Sequence, residues 1–180
     1  VSLALALSEW RNGVKQDETR QVILNNIIKE IEDNKADLMS KIDYHRDMSI
    51  KLGSYANSDS LWRTLRYNTG VEAVMLILDN GMRNPNLQVG AWKSAEISGV
   101  VNSFDYRTIY ALSNLYRLQE EGPTNTWKKL IELFGDPYFF ENDQAKTLVH
   151  MMHIGFFELY KQEQSLLSNY DYTLKQLKKE

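Results

Sequence analysis

Between Val14 and Leu52 the apolar residues Leu24, Ile28, Ile31, Leu38, Ile42 and Leu52 are spaced by fours, threes and their sums. That spacing is the seam of a long helix in a bundle or coiled coil, because side chains three and four apart share one helix face. Lys35, His45 and Ser49 fall on the same seam and weaken it, while Asp37 and Lys41 form a four-apart ion pair on its flank. Gly53 followed by Ser54 predicts the stop. A second seam of similar length runs from about Glu141 to Lys179 through Leu148, Met152, Gly155, Leu159, Leu166, Tyr170, Leu174 and Leu177. With only three prolines and nine glycines in 180 residues, and no sustained alternation of the strand type, the chain reads as all-α. The simplest assembly is a helical bundle of two long antiparallel helices with four or five shorter helices packed along them.

The shorter helices are marked by their punctuation. Ser58 or Asp59 caps a helix carrying Leu61, Trp62 and Leu65, Gly70 interrupts it, and Val71 to Leu78 continues as a buried apolar helix ending at Asn80-Gly81. Asn84-Pro85-Asn86 is a turn. A helix from about Val89 to Val100 precedes one capped by Ser103, with Asp105 in its first turn and Gly122-Pro123 at its end. A last short helix starts at Thr124 or Asn125 and stops at Gly135-Asp136-Pro137.

Apolar residues at 43% and charged residues at 25% describe a folded chain, long enough to bury a core without metals or disulfides. A net charge of −3 with mixed signs gives no electrostatic footprint for nucleic acid. The absence of cysteine excludes thiol nucleophiles and thiolate metal sites.

Val1 to Leu7 is an uncharged run of Val, Leu, Ala and Ser that leads into Trp10 and Arg11. It is too short to cross a bilayer, for which roughly 20 apolar residues are needed, but it suits the last turns of a spanning helix that begins upstream of Val1. Trp10 and Arg11 stand where interfacial anchors belong. Residues 1–12 are therefore read as the end of a membrane anchor and 13–180 as one helical domain, with the lipid bilayer as the first partner. Lys175, Lys178 and Lys179 would return to the membrane level if the last helix runs antiparallel to the first.

Two constellations could carry chemistry. With the long helices antiparallel and level at their ends, His45 faces Leu148 and the imidazoles of His45, His150 and His153 come within about a turn of one another. Imidazole is the commonest transition-metal ligand, and Asp43, Asp47 or Glu158 could add an oxygen. The competing reading makes these histidines satisfied core or boundary residues. Among ten tyrosines and four tryptophans, Trp92, Tyr106, Tyr110 and Tyr116 form a candidate groove, although aromatic residues mostly fill cores. No phosphate loop, zincin helix or nucleophile elbow occurs, and no cofactor is predicted.

The run from Leu3 to Asn12, with Asn34 and His45 on the helix that follows, resembles the membrane exit of a family of uncharacterised bacterial single-pass membrane proteins with a C-terminal all-helical domain. A second block carries the same resemblance: Ala91-Trp92 with Ala95 and Gly99, then Phe104-Asp105-Tyr106, then Leu112-Ser113 and Tyr116. The family has no assigned activity, so the resemblance implies topology: one span in the bacterial inner membrane and a periplasmic helical domain. The expected function is that of a membrane-tethered interaction or sensor-like module, self-associating or binding a protein partner. The alternative is a helical-bundle metal- or ligand-binding protein or enzyme that uses the histidines.

Overall fold

The computed structural model describes the backbone of residues 2–78, 80–141 and 144–178, and the side chains of these except 2–6, 9 and 12. Among them the regular elements are all helical: α1 (Ser2–Met39), α2 (Ile42–Asn57), α3 (Asp59–Trp62), α4 (Gly70–Ile77), α5 (Gly90–Ser98), α6 (Tyr106–Gln119), α7 (Asn125–Gly135) and α8 (Ala145–Leu177). Short 3-10 turns at Val100–Ser103 and Pro137–Phe140 and a π turn at Glu120–Thr124 join them.

The first long seam is two helices. At Ser40 and Lys41 the backbone tightens, the Lys41 N–H bonding the Leu38 carbonyl three residues back, and Ser40 Oγ donates to the Asp37 carbonyl. Beyond the break, helix continues through Gly53 to Asn57, because Gly53 serves there as a contact point: a Cβ would lie 2.8 Å from the His153 ring. The other junctions carry caps. Ser58 accepts from the Leu61 N–H at the start of α3. Thr69 and Glu72 form a reciprocal capping box on α4, and Asp105 accepts from the Arg107 and Thr108 N–H groups of α6. Asp105, two residues past Ser103, is thus the cap of α6. At Gly122 the backbone leaves helical geometry, separating α6 from α7.

Helix α8 is the common axis and runs antiparallel to α1 and α2. Its N-terminal half packs with α2, α4 and α7 around Leu52, Ile77, Leu130, Leu148, Met152, Phe156 and Leu159. Its C-terminal half packs with α1, α5 and α6 around Ile27, Ile31, Trp92, Leu112, Leu115, Leu166 and Tyr170. The register differs from a level pairing of ends: His45 meets Glu163, Lys35 meets Asp171, and Glu32 meets Lys178. His45 therefore lies about four turns along α8 from Leu148, the partner expected from the sequence. The level pairing fails because α1 overshoots the core. Of the described side chains between residues 7 and 19, all are exposed, and Leu24 is the first buried one among the described side chains of α1.

No helix of the described residues is long and apolar enough to cross a membrane. The side chains of residues 1–6, in the expected anchor end, and Lys179 lie outside the described residues.

Candidate functional site

Between the two apolar clusters lies a layer of buried and half-buried polar side chains. Glu30, Asn34 and Asp37 recur on one face of α1 at spacings of four and three, and Tyr44 and His45 extend the row onto α2. All five bond to the main chain of residues 81–92, an irregular strap over 81–89 followed by the first turn of α5. Tyr44 donates to the Gly81 carbonyl, and His45 Nε2 donates to the Arg83 carbonyl at 2.9 Å. Asp37 accepts from the Asn86 N–H at 2.9 Å. Asn34 makes a two-way pair with Gln88, donating from Nδ2 to its carbonyl and accepting at Oδ1 from its N–H, each at 2.7 Å. Glu30 accepts from the Ala91 N–H at 2.7 Å and the Trp92 N–H at 3.3 Å. It thereby caps α5, whose own N-cap residue, Val89, offers no side-chain bond. The row satisfies the irregular strap 81–89 and the first N–H groups of α5, which have no helical partner.

From the other side α6 and α8 close the layer. Gln119 Nε2 donates to the Gln88 carbonyl, and Gln119 Oε1 accepts from the Tyr170 hydroxyl at 2.6 Å. The Tyr116 hydroxyl donates to Glu30 at 2.7 Å. Burial pushes the Tyr116 and Tyr170 hydroxyls far above the ordinary phenol range, so both stay protonated donors.

His45 and Glu163 are both fully buried. Since Nε2 must donate to a carbonyl, Nδ1, at 2.8 and 2.9 Å from the two Glu163 oxygens, shares a single proton with the carboxyl group. Burial raises the Glu163 pKa above the usual carboxylate range, opposed by the hydrogen bond and charge of His45. Burial thus favours the neutral arrangement, in which the Glu163 O–H donates to Nδ1.

The three histidines do not converge. His45 spends both ring nitrogens on protein partners and rests against Trp127 and Phe156, with ring centroids 6.0 and 5.8 Å away. His153 Nδ1 donates to the Ser49 carbonyl at 2.8 Å, and His150, 6.3 Å away between ring centroids, is exposed. Among the described residues no group of three or more His, Cys, Asp or Glu side chains is placed to hold a metal ion.

The four aromatic residues of the candidate groove separate into two pairs. Trp92 and Tyr116 stack at 5.6 Å within the core, each about nineteen-twentieths buried. Tyr106 and Tyr110, one turn apart on α6, stack at 6.4 Å on the surface, 79% and 63% exposed. Opposite them α8 supplies Tyr172, itself 61% exposed, and the three rings line a groove of about 480 Å³ between the helices. Arg107, Thr108, Asn114, Asn169, Thr173 and Gln176 add polar groups to its walls, and none of its lining residues is acidic. Among the described residues the hydroxyls of Tyr106, Tyr110 and Tyr172 and the Arg107 guanidinium have no hydrogen-bond or ion-pair partner. The groove falls within the size range of ligand pockets, about 300–1,000 Å³.

No protein-family model, curated protein or solved structure matches this chain.

Glu163, Glu30 and Tyr172 were missing from the sequence reading. Glu163 had a signal: it sits between Leu159 and Leu166 at spacings of four and three, a carboxylate on an apolar seam. Glu30 and Tyr172 had none, because their partners come from segments far away in sequence.

Proposed function

We propose that the chain is the helical domain of a membrane-tethered protein that works by recognising another molecule, an interaction or sensor-like module of the bacterial inner membrane facing the periplasm. Two long antiparallel helices with shorter helices along them form its frame. The observation that carries the reading is the α6–α8 groove, where three exposed tyrosines and an arginine present unpaired polar tips from two rigid helices. Exposed aromatic residues gathered on one surface mark recognition sites more often than isolated ones do.

The tether has its own support. Leu7 and Trp10 are 56% and 68% exposed on the part of α1 that overshoots the core, so the bundle gives these apolar side chains no partner. The histidine alternative is weakened by His45, whose two nitrogens are already engaged.

Two measurements test the proposal in cells. In fractionated bacteria the protein should pellet with membranes, resist alkaline extraction and be cut by protease from the periplasmic side only. A soluble or cytoplasm-facing protein overturns the tether. A photo-crosslinking side chain at position 110 should give a discrete adduct that position 151, on another face, does not. Identical patterns from both positions overturn recognition through the groove.

A further inference from the structure

We infer that the turn joining α5 to α6 rests on the headgroup layer of the bilayer into which α1 leads, as a second membrane contact beside the tether. This rests on the tether reading and names the surface of the domain that faces the lipid.

Exposure is the first observation. Ile97 at 88% and Tyr106 at 79% are the most exposed large apolar side chains among the described residues, and they flank one turn. Between them Gly99 takes a left-handed backbone, with φ of 73°, and the 3-10 turn Val100–Ser103 carries two half-buried valines, Val100 and Val101. Single exposed apolar side chains are ordinary on a protein surface, but two of this degree on one turn, uncovered by the bundle, mark a contact.

Level along α1 identifies what is contacted. The turn packs against α1 beside Lys15 and Thr19, across a groove of about 740 Å³ whose other wall holds Ser98, Asn102 and Ser103. Helix α1 is unbroken from Ser2 to Met39, so no linker separates the tether from the domain. With residues 1–12 as the anchor end, Lys15 and Thr19 stand three and seven residues beyond it, about 5–10 Å along the axis. The headgroup layer is about 5–8 Å deep on each side of the hydrocarbon core, so the turn meets it. Spanning helices tilt by about 20° on average, and a tilt toward this side presses the turn into the layer. The end of α8 does not reach it. Lys178, held by Glu32 at 2.8 Å, is level with a residue twenty positions past residue 12, about 30 Å along α1, so the described lysines of α8 do not return to the membrane level.

Chemistry sets how the turn binds. Tyrosine suits the interface, with its ring on the apolar side and its hydroxyl in water. Residues 11–20 and 93–107 together hold five basic and four acidic side chains, so the net attraction to anionic lipid is small. The contact is therefore made by apolar insertion, and neutral lipid suffices. Tyr106 also lines the α6–α8 groove, which sets one end of that groove beside the bilayer.

The test uses the protein with its anchor, extracted from cell membranes and reconstituted into phosphatidylcholine vesicles. The 180 residues hold no cysteine, so Trp10→Cys, Asn102→Cys or Met151→Cys each gives one thiol in the domain for an environment-sensitive fluorophore. Nitroxides on the lipid headgroups should quench the labels at 10 and 102 and spare 151, at the opposite end of the bundle. Ile97→Asp with Tyr106→Asp should lower the quenching at 102 by about twofold or more and leave position 10 unchanged, with circular dichroism intact because both side chains are exposed. Quenching at 10 alone overturns the turn contact and leaves the tether standing. Quenching at 102 that survives the double substitution overturns the inference, because the turn is then near the lipid without docking on it. Equal quenching at 151 overturns it too, as adsorption without a preferred face. A protein with no membrane-bound form, or no quenching at position 10, overturns the tether and the inference together.

Discussion

His45 and Glu163 show how a single pair of side chains can fix the register of a bundle. Each is fully buried, so removing one leaves the other without its main partner in a low-dielectric site. Glu163→Ala should cost about 1–3 kcal/mol in chemical denaturation, the penalty of leaving the buried His45 Nδ1 unsatisfied. Glu163→Gln should cost less, since its amide can donate to Nδ1 in place of the carboxyl proton. Equal losses would show that the hydrogen bond is not what stabilises the pair. The pair also predicts a pH dependence. Glu163 titrates higher in the folded chain than in the unfolded one, so the folded state keeps its proton further up the pH scale. Its contribution is complete below the ordinary carboxylate value, about 4.3, and declines as pH rises through the raised folded value. The Tm difference between the native chain and Glu163→Gln should therefore fall as pH increases over that window. A difference that grows would overturn the assignment. At Gly70 the constraint is steric. A Cβ there would lie 2.7 Å from the Phe139 carbonyl oxygen, which is backbone and cannot swing aside. Gly70→Ala should destabilise by about 1–3 kcal/mol despite the better helix propensity of alanine.

At the scale of elements, the segment of residues 81–92, strap and first turn of α5, is the part the sequence leaves most obscure. Its side chains show no period because its order comes from main-chain bonds to Tyr44, His45, Asp37, Asn34 and Glu30. Arg83 is held there with φ of 50°, a left-handed backbone that costs a non-glycine residue about 1–2 kcal/mol, and its guanidinium lies over the Tyr44 ring. The helices themselves were legible, since their seams and caps are local: Ser58 or Asp59 is read as a cap from sequence, and Ser58 caps α3. What could not be read was distance. Asn34 and Gln88 are 54 residues apart and His45 and Glu163 are 118 apart, and no local pattern sets such pairings. Glu30→Ala and Asn34→Ala test the strap. Glu30→Ala strands the Tyr116 hydroxyl and the first N–H groups of α5, and Asn34→Ala strands the Gln88 amide. Each should cost about 1–3 kcal/mol and speed hydrogen exchange in residues 86–92 more than in α8. Uniform acceleration throughout would show that the row stabilises the bundle generally and not the strap.

On the scale of the whole molecule, α8 threads both apolar clusters and the polar layer between them, whereas α1 belongs to the bundle for only part of its length. The long seam that begins at Val14 suggested a helix packed from its first turn. Among the described side chains burial begins at Leu24, and two turns further on Glu32 pairs with Lys178 just past the end of α8. The groove was half legible for the same reason. Tyr106 and Tyr110 announce themselves as a pair four apart on α6, but Tyr172 joins them only once α8 is in register. The overshoot gives the last prediction. Every described side chain from residue 7 to residue 19 is exposed, and substitutions at such surface sites shift stability by less than about 0.5 kcal/mol. Deleting residues 1–13 should therefore leave the Tm within about 2 °C, given roughly 2–4 °C per kcal/mol for a domain of this size. Light scattering should at the same time report less association of the truncated chain in water, since exposed Leu7 and Trp10 are gone. If instead Tm drops by more than about 5 °C, the first turns of α1 pack on the domain, and their apolar character is explained by the fold. An unchanged Tm leaves the apolar residues of this segment with no role inside the bundle, and a contact outside it, such as the bilayer interface, becomes their physical explanation.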